Sequence, residues 1–96
     1  MRFMVRVKVR AFAFIREKVG WKEKEFEVDG RTVEDLLKMV ETIDGGSLHE
    51  LVVEEGKVKS SFLILLNGRE ISYLNGLKTR IKGGDTVFVF PPAGGG

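Results

Sequence analysis

The chain reads as a small α+β domain in which one main helix packs on one face of a mixed sheet of four to five strands. Three observations predict this. Residues 4–11 alternate apolar and charged side chains with the period of two expected of a half-buried strand, and residues 21–28 resume alternation with glutamates on one face. Val33, Leu36, Leu37, Val40 and Ile43 recur at helical spacing. Two further apolar runs, residues 62–66 and 86–90, follow without a second long helix between them.

In the first strand Val5, Val7, Val9 and Ala11 share one face, and Arg6, Lys8 and Arg10 share the other. Phe12 continues the charged, outward parity. Residues 14–20 are expected to form a connecting turn. Glu23, Glu25 and Glu27 then mark the outer face of a second strand running from Trp21 to Val28, which closes a first hairpin. Asp29-Gly30 is a turn signal. Thr32 is placed as the N-cap of the main helix, with Glu34 and Asp35 in the first turn, where acids favour the helix dipole. Asp44-Gly45-Gly46 is expected to stop this helix. Ser47 and Glu50 have capping-box spacing, which predicts a short second helix over 47–54. Residues 54–57 read as a turn.

Phe62-Leu63-Ile64-Leu65-Leu66 is apolar on both parities, as in a strand covered on both faces. Asn67-Gly68 is a hairpin turn signal leading to a short strand near Glu70-Ile71-Ser72. Lys82-Gly83-Gly84-Asp85 is a further turn. The last strand ends at Phe90, because Pro91 has no N–H for the sheet ladder. The folded domain is thus expected over residues 1–90, with 91–96 as a flexible C-terminal tail.

The chain has 96 residues, which is one domain's worth and too few for a large enclosed cavity. Sixteen basic and fourteen acidic residues are spread along it, giving a net charge of +2. Nucleic acid is therefore not expected as the main partner, since backbone binding requires clustered positive charge. No cysteine is present, which excludes disulfides, thiolate catalysis and cysteine metal sites. No signal peptide and no membrane-length apolar run is visible, so a cytoplasmic location is expected. Charged residues make up 31%, there is no Gln, and the Asn residues are confined to Asn67 and Asn75, a profile that fits heat adaptation.

An internal active site finds little support. His49 is the sole histidine and is expected to be an exposed helical residue. Glu54-Glu55 sits beside Gly56-Lys57 and reads as a solvated turn. Gly83-Gly84 precedes Asp85-Thr86 and a strand, which is not a phosphate loop.

The unusual feature is the ending Pro91-Pro92-Ala93-Gly94-Gly95-Gly96. Glycines maximise chain entropy and offer nothing to pack, so the tail cannot be helping the fold. A frayed terminus or a scar left by expression is the plain alternative. Read functionally, the prolines start an extended leash, and Ala93 to Gly96 spans at most about 13–14 Å. It can carry an α-carboxylate into another protein's active site. A carboxylate is a poor electrophile, so its use requires activation, as an acyl-adenylate made by a separate ATP-using enzyme. Sulfide or an amine can then attack Gly96. A docking surface is also expected. If Val87 and Val89 face the helix, Phe88 and Phe90 face outward beside the tail, with Phe12 on the same side, and exposed aromatics anchor interfaces.

The run from Phe62 through Asn67-Gly68-Arg69-Glu70-Ile71, then Leu77, Lys82-Gly83-Gly84-Asp85-Thr86-Val87, Phe90-Pro91-Pro92 and Gly95-Gly96, resembles the ubiquitin-like sulfur carriers. Phe14-Ile15-Arg16-Glu17 and Thr32 to Leu37 fit the same pattern. The nearer likeness is to the molybdopterin synthase small subunit (MoaD type), the more distant to the thiamine carrier (ThiS type). Two features depart from it: Gly94 stands where a small side chain often sits, and residues 45–59 are longer than in the most compact members.

The resemblance implies a β-grasp fold and a Gly96 that is adenylated by a ubiquitin-activating-type enzyme and converted to a thiocarboxylate, with Gly95 completing the pair. It implies insertion of the tail into a molybdopterin synthase large subunit, for a molybdenum or tungsten cofactor. Phe90 and Phe12 would face the partner, with Phe88, Pro91, Pro92 and Gly94 around them. This chain would bind no cofactor itself, and ATP would belong to the activating partner. Three alternatives stay open: a protein modifier joined to lysines, a sulfur donor for tRNA thiolation or thiamine synthesis, and a plain β-grasp binding module.

Overall fold

The computed structural model describes residues 4–29 and 31–92. Gly30 of the first turn signal and the tail residues Ala93 to Gly96 lie outside the described residues. In chain order the elements are β1 (Val5–Ala11), α1 (Phe14–Val19), β2 (Glu23–Val28), α2 (Val33–Met39), α3 (Leu48–Val52), β3 (Val53–Glu54), β4 (Lys57–Val58), β5 (Leu63–Leu66), β6 (Arg69–Glu70) and β7 (Thr86–Phe90). Tight 3-10 turns occupy Ile71–Tyr73 and Gly76–Lys78.

Five strands form one mixed sheet in the order β2-β1-β7-β5-β6, and β3 and β4 pair separately. The first and last strands are neighbours at its centre, where β1 and β7 run parallel with Val9 opposite Val87 and Ala11 opposite Val89. All other neighbours in the sheet are antiparallel. This is the β-grasp arrangement. Val7, Val9, Ala11, Ile64, Val87 and Val89 point to one side of the sheet and are buried. Val33, Leu36 and Leu37 of α2, with Val40 just past its end, cover them, and Leu48 and Val52 of α3 complete the core. Each of the valines, leucines and the isoleucine contributes about 1.5–3 kcal/mol by leaving water.

The N-terminus of α2 is fixed as the sequence predicts: Thr32 and Asp35 form a reciprocal capping box. Ser47 and Glu50 form a second box that starts α3. Three expectations for the helices and the turn after them need correction. Residues 14–20 contain a helix, α1, whose Ile15 and Val19 are buried. Helix α2 stops at Met39 rather than at the glycines, and Ile43 is 73% exposed. The reason is hydrogen bonding: the Val40 carbonyl accepts from Leu48 N–H, and Ile43 N–H donates to Lys18 across the chain. Third, α3 ends at Val52, and the turn expected over 54–57 is the tip of the small β3–β4 hairpin, with Glu55 and Gly56 at positive φ.

One polar network ties the two turns that frame β7. Asp85 is buried and accepts from Asn67 Nδ2 and from Lys82 N–H, both at 2.8 Å. Asn67 Oδ1 in turn accepts from Thr86 N–H. Asn67 and Gly68 both have positive φ, as the tight hairpin between β5 and β6 requires. The strand near residue 70 is shorter than expected and passes into the 3-10 turn at Ile71.

Candidate functional site

The two faces of β7 differ sharply. Val87 and Val89 are fully buried against the helices, while Phe88 and Phe90 are half-exposed on the opposite face. Phe12, just past β1, is half-exposed on that same side. The three rings form one stack. Phe12 and Phe90 lie nearly parallel with centroids 4.2 Å apart, and Phe88 is 6.3 Å from Phe12. The rings are therefore neither core nor scattered; they are an ordered aromatic surface at the end of the strand that leads to the tail. Pro91 and Pro92 follow directly and are half-buried. Gly94, Gly95 and Gly96 lie outside the described residues.

A sharp turn places Phe12. The Phe12 carbonyl accepts from Ile15 N–H at 3.1 Å, and the Ala13 carbonyl accepts from Arg16 N–H at 3.0 Å. Ala13 itself has φ 53 and ψ −132. That conformation is the first central position of a type II′ turn, normally glycine's. Helix α1 then doubles back, and Arg16 Nε donates to the Ala11 carbonyl at 2.9 Å. The guanidinium carbons of Arg10 and Arg16 lie 5.6 and 5.7 Å from the Phe12 ring centroid, within cation–π range.

The aromatic surface is wider than the sequence indicates. Register sets Leu63 opposite Phe90 and Leu65 opposite Phe88. The expectation of a strand covered on both faces is therefore wrong for β5. Ile64 and Leu66 are buried, but Leu63 is 40% exposed and Leu65 is half-exposed. Phe14, at the start of α1, is also exposed, but it meets Phe62 edge-on at 6.2 Å, and Phe62 packs against the core rather than joining the stack. Leu63 and Leu65 escaped sequence reasoning because only the strand register shows that they join the phenylalanines.

Beside the apolar strip runs a ladder of opposite charges. Arg6 pairs with Glu27 at 3.3 Å, and Lys8 and Arg10 share Glu23 at 3.9 and 3.4 Å. Such exposed pairs contribute at most about 1 kcal/mol each. Arg10 Nε is shut off from water and makes no hydrogen bond, although Glu23 stands near it.

The other predicted positions fall elsewhere. His49 is not the exposed residue expected. Its ring is four-fifths buried and its Nε2 lies 3.1 Å from Glu34 Oε2. Lys78 Nζ donates to the other oxygen of Glu34 at 3.2 Å. The His49 hydrogen bond first, and the Lys78 hydrogen bond second, hold the Glu34 carboxyl below its ordinary range. This cluster joins α2, α3 and the turn at Gly76–Lys78, on residues distinct from the aromatic stack. Among the described residues no helix is long and apolar enough to cross a membrane.

The family model described as the ThiS family matches residues 9–96. A curated relative, small archaeal modifier protein 3 of Haloferax volcanii, is 42% identical over 91 residues, covering 94% of this chain and 98% of the relative. A solved chain from Pyrococcus furiosus, proposed to be molybdopterin converting factor subunit 1, is 34% identical with a TM-score of 0.67, over 93% of this chain and 99% of that one. A chain of the Amycolatopsis orientalis BexX/CysO complex is 27% identical with a TM-score of 0.76, over 94% and 99%.

Proposed function

The chain belongs to the ThiS family of ubiquitin-like sulfur carriers and modifiers, and on that premise we propose that it carries sulfur on Gly96 as the small subunit of a molybdopterin synthase. The observation that carries the reading is the ordered stack of Phe12, Phe88 and Phe90 on the open face of the sheet, at the root of the tail. A fold gains little from stacking three large rings on its open face, partly exposed, beside a glycine leash. A partner that covers them gains their burial and receives the carboxylate in a defined place.

The chemistry is divided between proteins. A Gly96 carboxylate oxygen attacks the α-phosphorus of ATP on the activating enzyme, and pyrophosphate leaves. Sulfur, delivered at the oxidation level of sulfide, attacks the carbonyl carbon, and AMP departs with one of the original carboxylate oxygens. The net change is one oxygen replaced by one sulfur. The thiocarboxylate tail then enters the synthase large subunit, which transfers sulfur to the forming dithiolene. This chain supplies the docking face, the leash and the reactive terminus, and ATP belongs to its partner.

One observation favours a second reading. The Haloferax relative at 42% identity is named a modifier protein, and an amine attacking the same acyl-adenylate would give an isopeptide bond to a lysine. Reconstitution separates the two. The chain is incubated with its adenylating enzyme, ATP and sulfide, then with the large subunit and its pterin precursor. Dithiolene formation supports the synthase role. Adenylation followed by transfer only to protein lysines supports the modifier role. Failure of the adenylating enzyme to release pyrophosphate contradicts both.

A further inference from the structure

The cations on the open face of the sheet are not equivalent. Arg6, Lys8 and Arg10 are each matched by a glutamate of β2. Arg16, whose guanidinium lies beside the same Phe12 ring, pairs with no carboxylate among the described residues. It is exposed, but it is not loose. Its Nε is committed to the Ala11 carbonyl, its own backbone N–H closes the Ala13 turn, and its carbonyl accepts from the helix-ending Gly20. One of five donors is thus used, and the rest of the planar fork is held in place without a counter-charge.

Docking onto the aromatic stack changes what this arrangement costs. A partner that seals Phe12 and Phe90 from water also removes water from the guanidinium beside them. Covering an unpaired charge is strongly unfavourable, whereas covering one that meets a carboxylate is much less so. Arg10 already stands beside Glu23, which it shares with Lys8, and so makes a weaker demand. Arg16 therefore turns an otherwise permissive greasy face into a selective one: surfaces lacking an acid at that position are rejected.

We propose that Arg16 is a specificity-determining contact, whose guanidinium receives a carboxylate on the protein partner that covers the aromatic stack. The inference rests on the docking reading above and adds to it the chemistry of the partner: an apolar seat for Phe90 with an aspartate or glutamate at its edge. The adenylating enzyme is the partner to test, because its reaction reports docking through kinetics.

The experiment is ATP–pyrophosphate exchange by that enzyme, with the wild-type chain and with Arg16→Ala, Arg16→Lys and Phe90→Asp. Arg16→Ala is expected to raise the KM for this chain about tenfold or more at unchanged kcat, and to flatten its dependence on salt. Arg16→Lys should recover only part of the loss, since an ammonium lacks the fork. Thermal unfolding of each variant checks that the fold persists. An unchanged KM for Arg16→Ala, with Phe90→Asp impaired, overturns the inference and leaves the docking reading standing. An unchanged KM for Phe90→Asp overturns the docking reading itself. A rise in the KM for ATP alone would place Arg16 against nucleotide phosphate and would also overturn the proposal.

Discussion

Replacing Ala13 by glycine should stabilise this protein, although alanine-to-glycine changes usually do the reverse. Ala13 holds φ 53 and ψ −132, a region sparsely populated by residues with a Cβ. Strain of this kind costs about 1–3 kcal/mol. Glycine relieves it, and the added freedom of the unfolded chain takes back about 0.5–1 kcal/mol. Ala13 is exposed, so no apolar burial is lost. The net expectation is a gain of about 1 kcal/mol, or roughly 4–8 °C in Tm for a domain of this size. Guanidinium denaturation reads it directly, as a higher midpoint with an unchanged slope. A midpoint that falls, with the slope constant, would refute the reasoning and mean that Ala13 is not strained. The strain also aims Phe12 at the stack, so the same variant should dock its partner more weakly while folding more tightly.

Other consequences follow from the same geometry. Asp85→Ala breaks two bonds to a buried carboxylate and orphans Asn67 Nδ2 and Lys82 N–H, so a loss of about 3–4 kcal/mol in denaturant titrations is expected, with Asp85→Asn losing about half. Phe90→Ala should cost only about 1–2 kcal/mol, since the ring is half-exposed and gives up one stack, whereas truncating a core phenylalanine costs about 3–5. Glu34 is held below its ordinary range by His49 and Lys78, so the folded state binds its proton less readily than the unfolded state does. Its contribution is therefore complete above the unfolded carboxylate value of about 4.3 and disappears as pH falls through the lower folded value. The Tm gap between wild type and Glu34→Gln should accordingly be open at neutral pH and closed in strong acid; a gap independent of pH would contradict the cluster.

Much of this molecule was legible in its sequence because local signals agreed with the fold. Strict alternation in β1, the glutamates on one face of β2, the Thr32 cap, Asn67-Gly68 and the valine–phenylalanine parity of β7 each mean the same thing locally and globally. Helix α1 was not legible. It spans six residues, its Ala13 offers no capping side chain, and two buried positions are too few to show a period. The early end of α2 was hidden for another reason: Ile43 fits the helical stripe, but its N–H is taken by Lys18, a partner remote in sequence. The phenylalanines of the candidate site could be placed from parity alone. Leu63, Leu65 and Arg16 could not, because their membership depends on strand register and on a turn held by a strained alanine. Apolar character on both parities of β5 was read as burial on both faces, whereas one of those faces is the open apolar surface.

The central claim is that Gly96 acts as a sulfur carrier, and intact mass spectrometry of protein isolated from its own cells tests it most directly. The chain contains no cysteine, so a thiol-reactive alkylating agent has no thiol to label except a thiocarboxylate. The expected result is a population in which one oxygen at Gly96 is replaced by sulfur, with the label mapping to that residue. Protein that carries neither sulfur nor label, even after incubation with the adenylating enzyme, ATP and sulfide, would contradict it.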